Sequence, residues 1–95
     1  MHVKSGWQQF VQLIHNTKDD IVELDQLLDF LLTDEEKAQM AKRVILTHYL
    51  IYGDKTQRTI AKELEVSLTT ITRCSNLLKH TSDNIKQQFD FDLEE

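Results

Sequence analysis

The segment that most limits the possible folds of this chain is the stretch 44–52, which reads VILTHYLIY and carries no charged side chain. A helix over this stretch is apolar on nearly every side, so it must also be covered on nearly every side. One core in a chain of 95 residues rarely supplies that much cover. We therefore expect a second copy of the chain as the cover, in an obligate and interleaved homodimer. A monomer of three or four helices with some exposed apolar surface is the alternative.

The same stretch is too short for a membrane span, which needs about 20 apolar residues. The first ten residues, MHVKSGWQQF, contain no apolar signal core. The absence of proline and the presence of only two glycines disfavour a turn-rich sandwich or barrel, and a single cysteine excludes an internal disulfide or a Cys-rich zinc site. We expect one cytoplasmic, all-α domain over residues 1–95, without a membrane partner or a metal, ending in an acidic tail over about 90–95.

Apolar residues recur at helical spacing through the first third of the chain. One set is Trp7, Phe10, Val11 and Ile14, and the next is Ile21, Leu24, Leu27, Leu28 and Leu31. Thr33 and Glu36 then have the spacing of a capping box, which predicts a long helix from about Asp34 to about Tyr52. We expect Gly53 to end that helix in the left-handed conformation, which glycine adopts without steric cost.

Residues 56–79 have the spacing of a helix-turn-helix motif, which we place over about 57–80. Thr56 is expected to cap the first helix and Ser67 the second, with residues 65–67 as the turn. The expected inward positions are Ile60, Ala61, Leu64, Val66, Ile71 and Leu78, with Cys74 as a further candidate. Many such turns have glycine at the position of Glu65, so we expect this residue to adopt a positive φ at a cost of about 1 kcal/mol.

The charge distribution points to an anion-binding surface in the same region. The net charge is −5, but residues 55–80 carry five Lys or Arg against two Glu, and both flanks are acidic. The second helix is expected to expose Thr69, Thr70, Thr72, Arg73 and Asn76, with Lys79 at its end. Hydroxyls and amides contact base edges and phosphates, and cations neutralise phosphates. The pattern predicts double-stranded DNA as a partner, and a solvated surface without that role is the alternative.

Five short motifs make the chain resemble the tryptophan repressor family. They are WxxFV at 7–11, LTxxE at 32–36, RV at 43–44, GxxTQR at 53–58 and TITRxSNxLK at 70–79. The resemblance covers the chain from Trp7 to Lys79 without a large gap. It implies an all-α, interleaved homodimer that binds a palindromic operator and represses genes of tryptophan biosynthesis or transport. It also implies that L-tryptophan, an aromatic amino acid, acts as the corepressor.

The resemblance assigns roles to individual residues. Arg43 and Arg73 would flank the indole ring and meet the carboxylate, since a guanidinium group both stacks on rings and pairs with carboxylates. The helix-end carbonyls near Phe30 and Leu32, together with Thr33, would receive the ligand's ammonium group. The implied DNA-facing residues are Gln57, Arg58, Lys62, Ser67, Leu68, Thr69, Thr70, Thr72, Asn76 and Lys79.

Four positions depart from the family pattern. Thr47, Cys74 and Leu77 fall at ligand-lining positions where the family commonly has an aliphatic residue, glycine and a small polar residue. Ala61 stands where the family often has a lysine that contacts the operator backbone, and the adjacent Lys62 is the substitute. These differences leave open a different aromatic amino acid or an indole compound as the ligand.

The sequence carries no recognisable catalytic motif. Its four histidines lack HxxxH or HExxH spacing, and there is no Gly-rich loop, so we expect no enzymatic activity. Two other functions stay open beside the tryptophan-dependent repressor. One is a repressor that needs no small molecule, and the other is a dimeric protein-interaction module that has lost DNA binding.

Overall fold

The computed structural model of the chain describes residues 2–93, and these residues contain six α-helices and no strand. The helices are α1 Val3–Asn16, α2 Ile21–Leu31, α3 Asp34–Tyr52, α4 Gln57–Leu64, α5 Leu68–Leu78 and α6 Asp83–Gln87. The prediction of an all-α chain is confirmed. Met1 and the last two residues of the predicted acidic tail, Glu94 and Glu95, lie outside the described residues. None of the helices in residues 2–93 combines the length and the apolar character that crossing a bilayer requires.

The chain divides into two compact units, Met1–Lys37 and Ala38–Glu95. The first unit holds α1, α2 and the first turn of α3. Asp20 caps α2, because its Oδ1 accepts hydrogen bonds from the backbone N–H groups of Val22 and Glu23. The predicted capping box is confirmed: the Thr33 hydroxyl accepts from the Glu36 N–H at 3.1 Å, and the Glu36 carboxylate accepts from the Thr33 N–H at 2.9 Å.

The apolar side chains of this first unit remain largely accessible in the single chain. No residue of α1 or α2 is buried. Trp7 of the predicted α1 stripe is 64% exposed, and Phe30 in the last turn of α2 is 85% exposed. The periodicity correctly predicted both helices, and their apolar faces present a surface that is rare on a stable monomer.

The second unit is built around three fully buried side chains, one from each of its longer helices. They are Leu46 of α3, Ile60 of α4 and Ile71 of α5. Around them pack the partly buried residues Tyr49, Leu50, Ala61, Leu64, Val66 and Cys74. The inward positions predicted for residues 60–71 are therefore confirmed, and the core fixes α4 and α5 against the second half of α3.

The connection between α4 and α5 has the predicted caps and turn. Thr56 accepts a hydrogen bond from the Thr59 N–H and Ser67 from the Thr70 N–H, both at 3.1 Å. Glu65 is the one non-glycine residue with positive φ in the described chain, at φ 54° and ψ 47°. This left-handed residue reverses the chain within three residues, so that α5 packs back against α4.

The predicted end of α3 at Tyr52 is confirmed, but the left-handed conformation expected of Gly53 was wrong. Neither glycine in the described residues has a positive φ. Gly53 is instead required by close packing, because a Cβ at this position would lie 2.8 Å from the carbonyl oxygen of Tyr49. That oxygen accepts the Gly53 N–H at 3.0 Å and closes the last turn of α3.

The C-terminal segment returns to the end of α3. Ser82 caps α6, and the segment after that helix contacts His48 through two groups. The His48 Nδ1 lies 2.7 Å from the Phe89 carbonyl oxygen, and the His48 ring stacks on the Phe91 ring at 4.9 Å. The Tyr52 hydroxyl also donates to the Lys86 carbonyl at 3.2 Å. His48 therefore has a structural role in holding this segment.

Candidate functional site

A cleft of about 230 Å3 lies between α3 and α5, within the second unit. The residues that line it are Arg43, Leu46, Thr47, Thr70, Arg73, Cys74 and Leu77. Five of these were predicted from the sequence as ligand contacts: Arg43, Thr47, Arg73, Cys74 and Leu77. Leu46 and Thr70 are additions. Helix geometry explains the grouping, because positions 43 and 47 share one face of α3 while 70, 73, 74 and 77 share one face of α5.

The chemistry of the cleft combines two cations with apolar surface and contains no carboxylate. Arg43 and Arg73 are both exposed. Thr47 is only 9% exposed, and its hydroxyl donates to the Arg43 carbonyl at 2.7 Å. The same hydroxyl oxygen lies 3.5 Å from the Cys74 sulfur, so the polar groups in the floor of the cleft are already partnered. The arrangement suits a small molecule with a carboxylate and an apolar ring.

The other three predicted ligand contacts are not among the residues that line this cleft, which all lie between positions 43 and 77. Phe30, Leu32 and Thr33 lie in the first unit, at the junction of α2 and α3. The hydroxyl and N–H of Thr33 are used in the capping box. The Leu32 N–H donates to the Leu28 carbonyl at 2.9 Å, and the Phe30 side chain is exposed.

The residues predicted to face DNA lie on the outer surfaces of α4, α5 and their turn. Those with exposed side chains are Gln57, Arg58, Lys62, Ser67, Leu68, Thr69, Thr72, Asn76 and Lys79. Thr70 differs, because it is half-buried, lines the cleft and has its hydroxyl 2.9 Å from that of Ser67. Thr69, Thr72 and Asn76 make no side-chain hydrogen bond within residues 2–93, so their polar groups can pair with a partner molecule.

A shallow groove of about 610 Å3 runs along the outer face of α5. It is lined by Leu68, Thr69, Thr72, Arg73, Asn76, Leu77 and His80. Arg73 and Leu77 therefore line both this groove and the cleft. His80 was not among the predicted residues, although its spacing of four residues from Asn76 places it on the same helical face.

The cations of residues 55–80 are not equivalent. Lys55 donates a hydrogen bond to Glu63 at 2.6 Å, which raises the pKa of Lys55, and its ammonium lies 4.4 Å from the Tyr49 ring centroid. Arg58, Lys62, Arg73 and Lys79 form no ion pair with any acidic residue in the described part of the chain. The charge pattern of the sequence does not distinguish these five cations, so the pairing of Lys55 was not predicted.

Comparison of the sequence with known proteins identifies the family to which the chain belongs. A family model described as Trp repressor protein matches residues 5–92. A protein from Photobacterium profundum named Trp operon repressor homolog is 41% identical over 85 residues, which span 85% of this chain and 78% of that protein. A protein of the same name from Vibrio campbellii is 38% identical over 89 residues, which span 94% of this chain and 88% of that protein. The chain belongs to the Trp repressor family.

Membership in the Trp repressor family places the chain among transcriptional repressors, a regulatory class without enzymatic activity. The predictions of the family and of a non-catalytic protein are confirmed. Within residues 2–93, no cluster of three or more His, Cys, Asp or Glu side chains has an arrangement that could hold a metal ion. The cleft and the outer face of α5 are therefore the parts of this Trp repressor family member that call for a functional explanation.

Proposed function

We propose that the chain is a sequence-specific DNA-binding repressor that uses L-tryptophan as its corepressor. The observation that carries this proposal is the position of Arg73, which lines both the cleft and the groove on the outer face of α5. A ligand in the cleft would contact the same side chain that contributes to the DNA-facing surface. Ligand binding and operator binding are thereby linked through the Arg73 side chain.

The contents of the cleft support an aromatic amino acid as the ligand. The guanidinium groups of Arg43 and Arg73 can pair with a carboxylate and stack on an aromatic ring. Leu77, which is exposed, supplies an apolar contact for that ring. The cleft is smaller than the range of about 300–1,000 Å3 typical of pockets for drug-sized ligands, so it suits a small metabolite. The relatives' name, Trp operon repressor homolog, favours tryptophan among such metabolites.

The exposed surface of α4 and α5 supports DNA as the macromolecular partner. In our proposal these helices form a helix-turn-helix motif in which Thr69, Thr72 and Asn76 contact base edges or phosphates. Arg58 and Lys62 on α4 and Lys79 after α5 neutralise phosphates. These cations have no acidic partner in residues 2–93, so no competing ion pair must be broken when DNA binds.

We also propose that the functional unit is an interleaved homodimer that binds a palindromic operator. The exposed apolar residues of α1 and α2 support it, among them Trp7 and Phe30. Val44 in the middle of α3 is also 43% exposed, and it begins the stretch 44–52, which is apolar on nearly every side of the helix. A second copy of the chain would cover these surfaces, and two copies present two reading helices to a two-fold symmetric site.

A salt titration of DNA binding, with and without L-tryptophan, tests the proposal. The duplex is one enriched by the wild-type protein from a random pool in the presence of L-tryptophan, and a random duplex is the control. We expect specific binding that requires L-tryptophan and weakens with salt. Six phosphate-contacting cations per dimer would give a slope of log Kobs against log[salt] of about −5. The absence of DNA affinity at every salt concentration would contradict the proposal and favour a protein-interaction module.

Cys74 and Leu77 give a specific reason to test other ligands, because both side chains line the cleft. Calorimetry should compare L-tryptophan with L-phenylalanine, L-tyrosine and indole derivatives. Binding of L-tryptophan in preference to the others supports the proposed corepressor. Preference for another compound would keep the repressor and replace its ligand, and DNA binding that is indifferent to all of them would identify a repressor without a small-molecule ligand.

A further inference from the structure

The connection between α3 and α4 contains a cationic side chain that joins both helices. Lys55 lies in the four-residue segment 53–56. Its ammonium donates to the Glu63 carboxylate on α4 at 2.6 Å and lies 4.4 Å from the centre of the Tyr49 ring on α3. We call these three residues, Tyr49, Lys55 and Glu63, the Lys55 bridge.

The contacts of the Lys55 bridge differ in kind from those of the apolar core, on which Tyr49 also packs. Leu46, Ile60 and Ile71 hold α3, α4 and α5 together through apolar contacts, which are not directional. The bridge instead has a charged hydrogen bond and a cation–π contact, and both depend on direction and distance. The Lys55 side chain is 26% exposed, so these contacts are partly shielded from water and salt.

We infer that Lys55 is a positioning residue that fixes the orientation of α4 against α3, and that it is not a phosphate contact. This inference rests on the proposed DNA-binding function, because α4 carries Gln57 and Arg58 at its first turn. A small rotation of α4 would displace these two side chains together from their places on a duplex. The apolar contacts of the core are not directional, whereas the link from Tyr49 to Glu63 opposes such a rotation through the direction and distance of its contacts.

A substitution that removes the charge of Glu63 distinguishes the two possible roles of Lys55 by whether DNA binding becomes stronger or weaker. If Lys55 contacted phosphate, Glu63 would be an acidic neighbour that weakens DNA binding, and Glu63→Gln would strengthen it. If Lys55 positions α4, Glu63→Gln removes the other end of the bridge and weakens specific binding. The two roles therefore predict opposite changes for the same substitution.

The experiment measures binding to the enriched duplex and to a random duplex over a range of salt concentrations. We expect Lys55→Met, which keeps the aliphatic chain, to lower affinity for the enriched duplex by about threefold to tenfold. Its salt slope and its affinity for the random duplex should stay unchanged. Glu63→Gln should give the same loss, the double variant no further loss, and Lys55→Arg should restore most of the affinity.

Lys62→Met is the matched control, because Lys62 is an exposed lysine on the same helix without an ion pair in residues 2–93. Because Lys62 is a proposed phosphate contact, Lys62→Met should reduce the salt slope by about 0.9 for each copy of the side chain. A shallower slope for Lys55→Met, or stronger binding by Glu63→Gln, would overturn the inference. Unchanged affinity for the enriched duplex in Lys55→Met would overturn it as well.

A measurement without DNA separates this inference from the proposed function. Amide hydrogen exchange on the free protein should be faster in α4 of Lys55→Met than of wild type, with α5 and the thermal midpoint little changed. If the wild-type protein binds no DNA, the proposed function fails, and the exchange result still decides whether the bridge holds α4. Unchanged exchange in α4 would contradict the bridge on its own.

Discussion

Arg73 is the residue at which the two proposed binding surfaces meet. Its side chain is exposed and lines both the ligand cleft and the groove on α5, and it lies outside the core of Leu46, Ile60 and Ile71. We expect Arg73→Ala to abolish the response of DNA binding to L-tryptophan while leaving the helical content and thermal midpoint near those of the wild type. The reason is that the substitution removes a ring-stacking and carboxylate-pairing group without opening a cavity in the core.

Arg58→Ala is the control for this prediction. Arg58 is exposed on α4 and does not line the cleft, so its loss should weaken DNA binding by the same factor with and without the ligand. Titration of each variant with the enriched duplex, with and without L-tryptophan, measures the two effects, and circular dichroism checks the fold. An Arg73→Ala protein that still binds its operator in a tryptophan-dependent manner would show that the ligand lies elsewhere.

Single residues also show where prediction from the sequence succeeds and where it fails. The positive φ of Glu65 was predictable, because a three-residue turn between two capped helices requires a left-handed residue there. The conformation of Gly53 was predicted incorrectly, because its φ is not positive and the residue is instead constrained by the nearby carbonyl oxygen of Tyr49. The pairing of Lys55 with Glu63 was not predicted, since eight residues and the start of a helix separate them.

At the scale of the helices, the capping box at the start of α3 makes a contribution to stability that depends on pH. The Thr33 N–H and hydroxyl hydrogen bonds hold the pKa of the Glu36 carboxyl below its usual value of 4.5. A carboxyl group whose pKa is lowered on folding stabilises the native state above its unfolded pKa, and this contribution is lost as pH falls through the folded value. Between about pH 5 and about pH 3, we expect Glu36→Gln to lose less stability than the wild type loses.

Chemical denaturation at a series of pH values measures this difference, and Glu35→Gln is the matched control. Glu35 is an exposed neighbour in the same helical turn, and it makes no side-chain hydrogen bond within the described residues. A further variant, Thr33→Ala, should destabilise the protein by about 1 kcal/mol at neutral pH through the loss of the cap. Equal pH profiles for Glu36→Gln and wild type would show that the carboxylate does not stabilise α3.

The sequence predicted the helices well because their determinants are local. The caps at Thr33, Thr56 and Ser67 act within three residues, and the apolar periodicity extends over a few turns. A short docked C-terminal helix and a hydrogen-bonded His48 were expected, but the contact between them was not, because the hydrogen bond between His48 and the Phe89 carbonyl joins residues 41 positions apart. The cleft was predicted in part, through the resemblance to a family, and Leu46 and Thr70 were missed because their place depends on packing.

At the scale of the whole molecule, the proposed homodimer makes a prediction about Ile45. This residue is half-buried, and it does not belong to the set of side chains that pack on the core of the second unit. If the protein were a monomer, Ile45→Asp would therefore lower its stability only slightly, and the variant would stay folded. In an interleaved dimer the aspartate would enter an apolar core shared by two chains, where an unpaired charge is strongly destabilising.

We expect Ile45→Asp to unfold the protein, and Gln39→Asp to leave it folded and dimeric, because Gln39 is an exposed position earlier on the same helix. Sedimentation equilibrium and circular dichroism measure mass and helical content for both variants. The wild type should in addition unfold at a temperature that rises with protein concentration, because association of two chains stabilises the folded state by mass action. A helical monomer from Ile45→Asp would contradict interleaving, since it would mean that each chain completes its own core and that the exposed faces of α1 and α2 need another explanation.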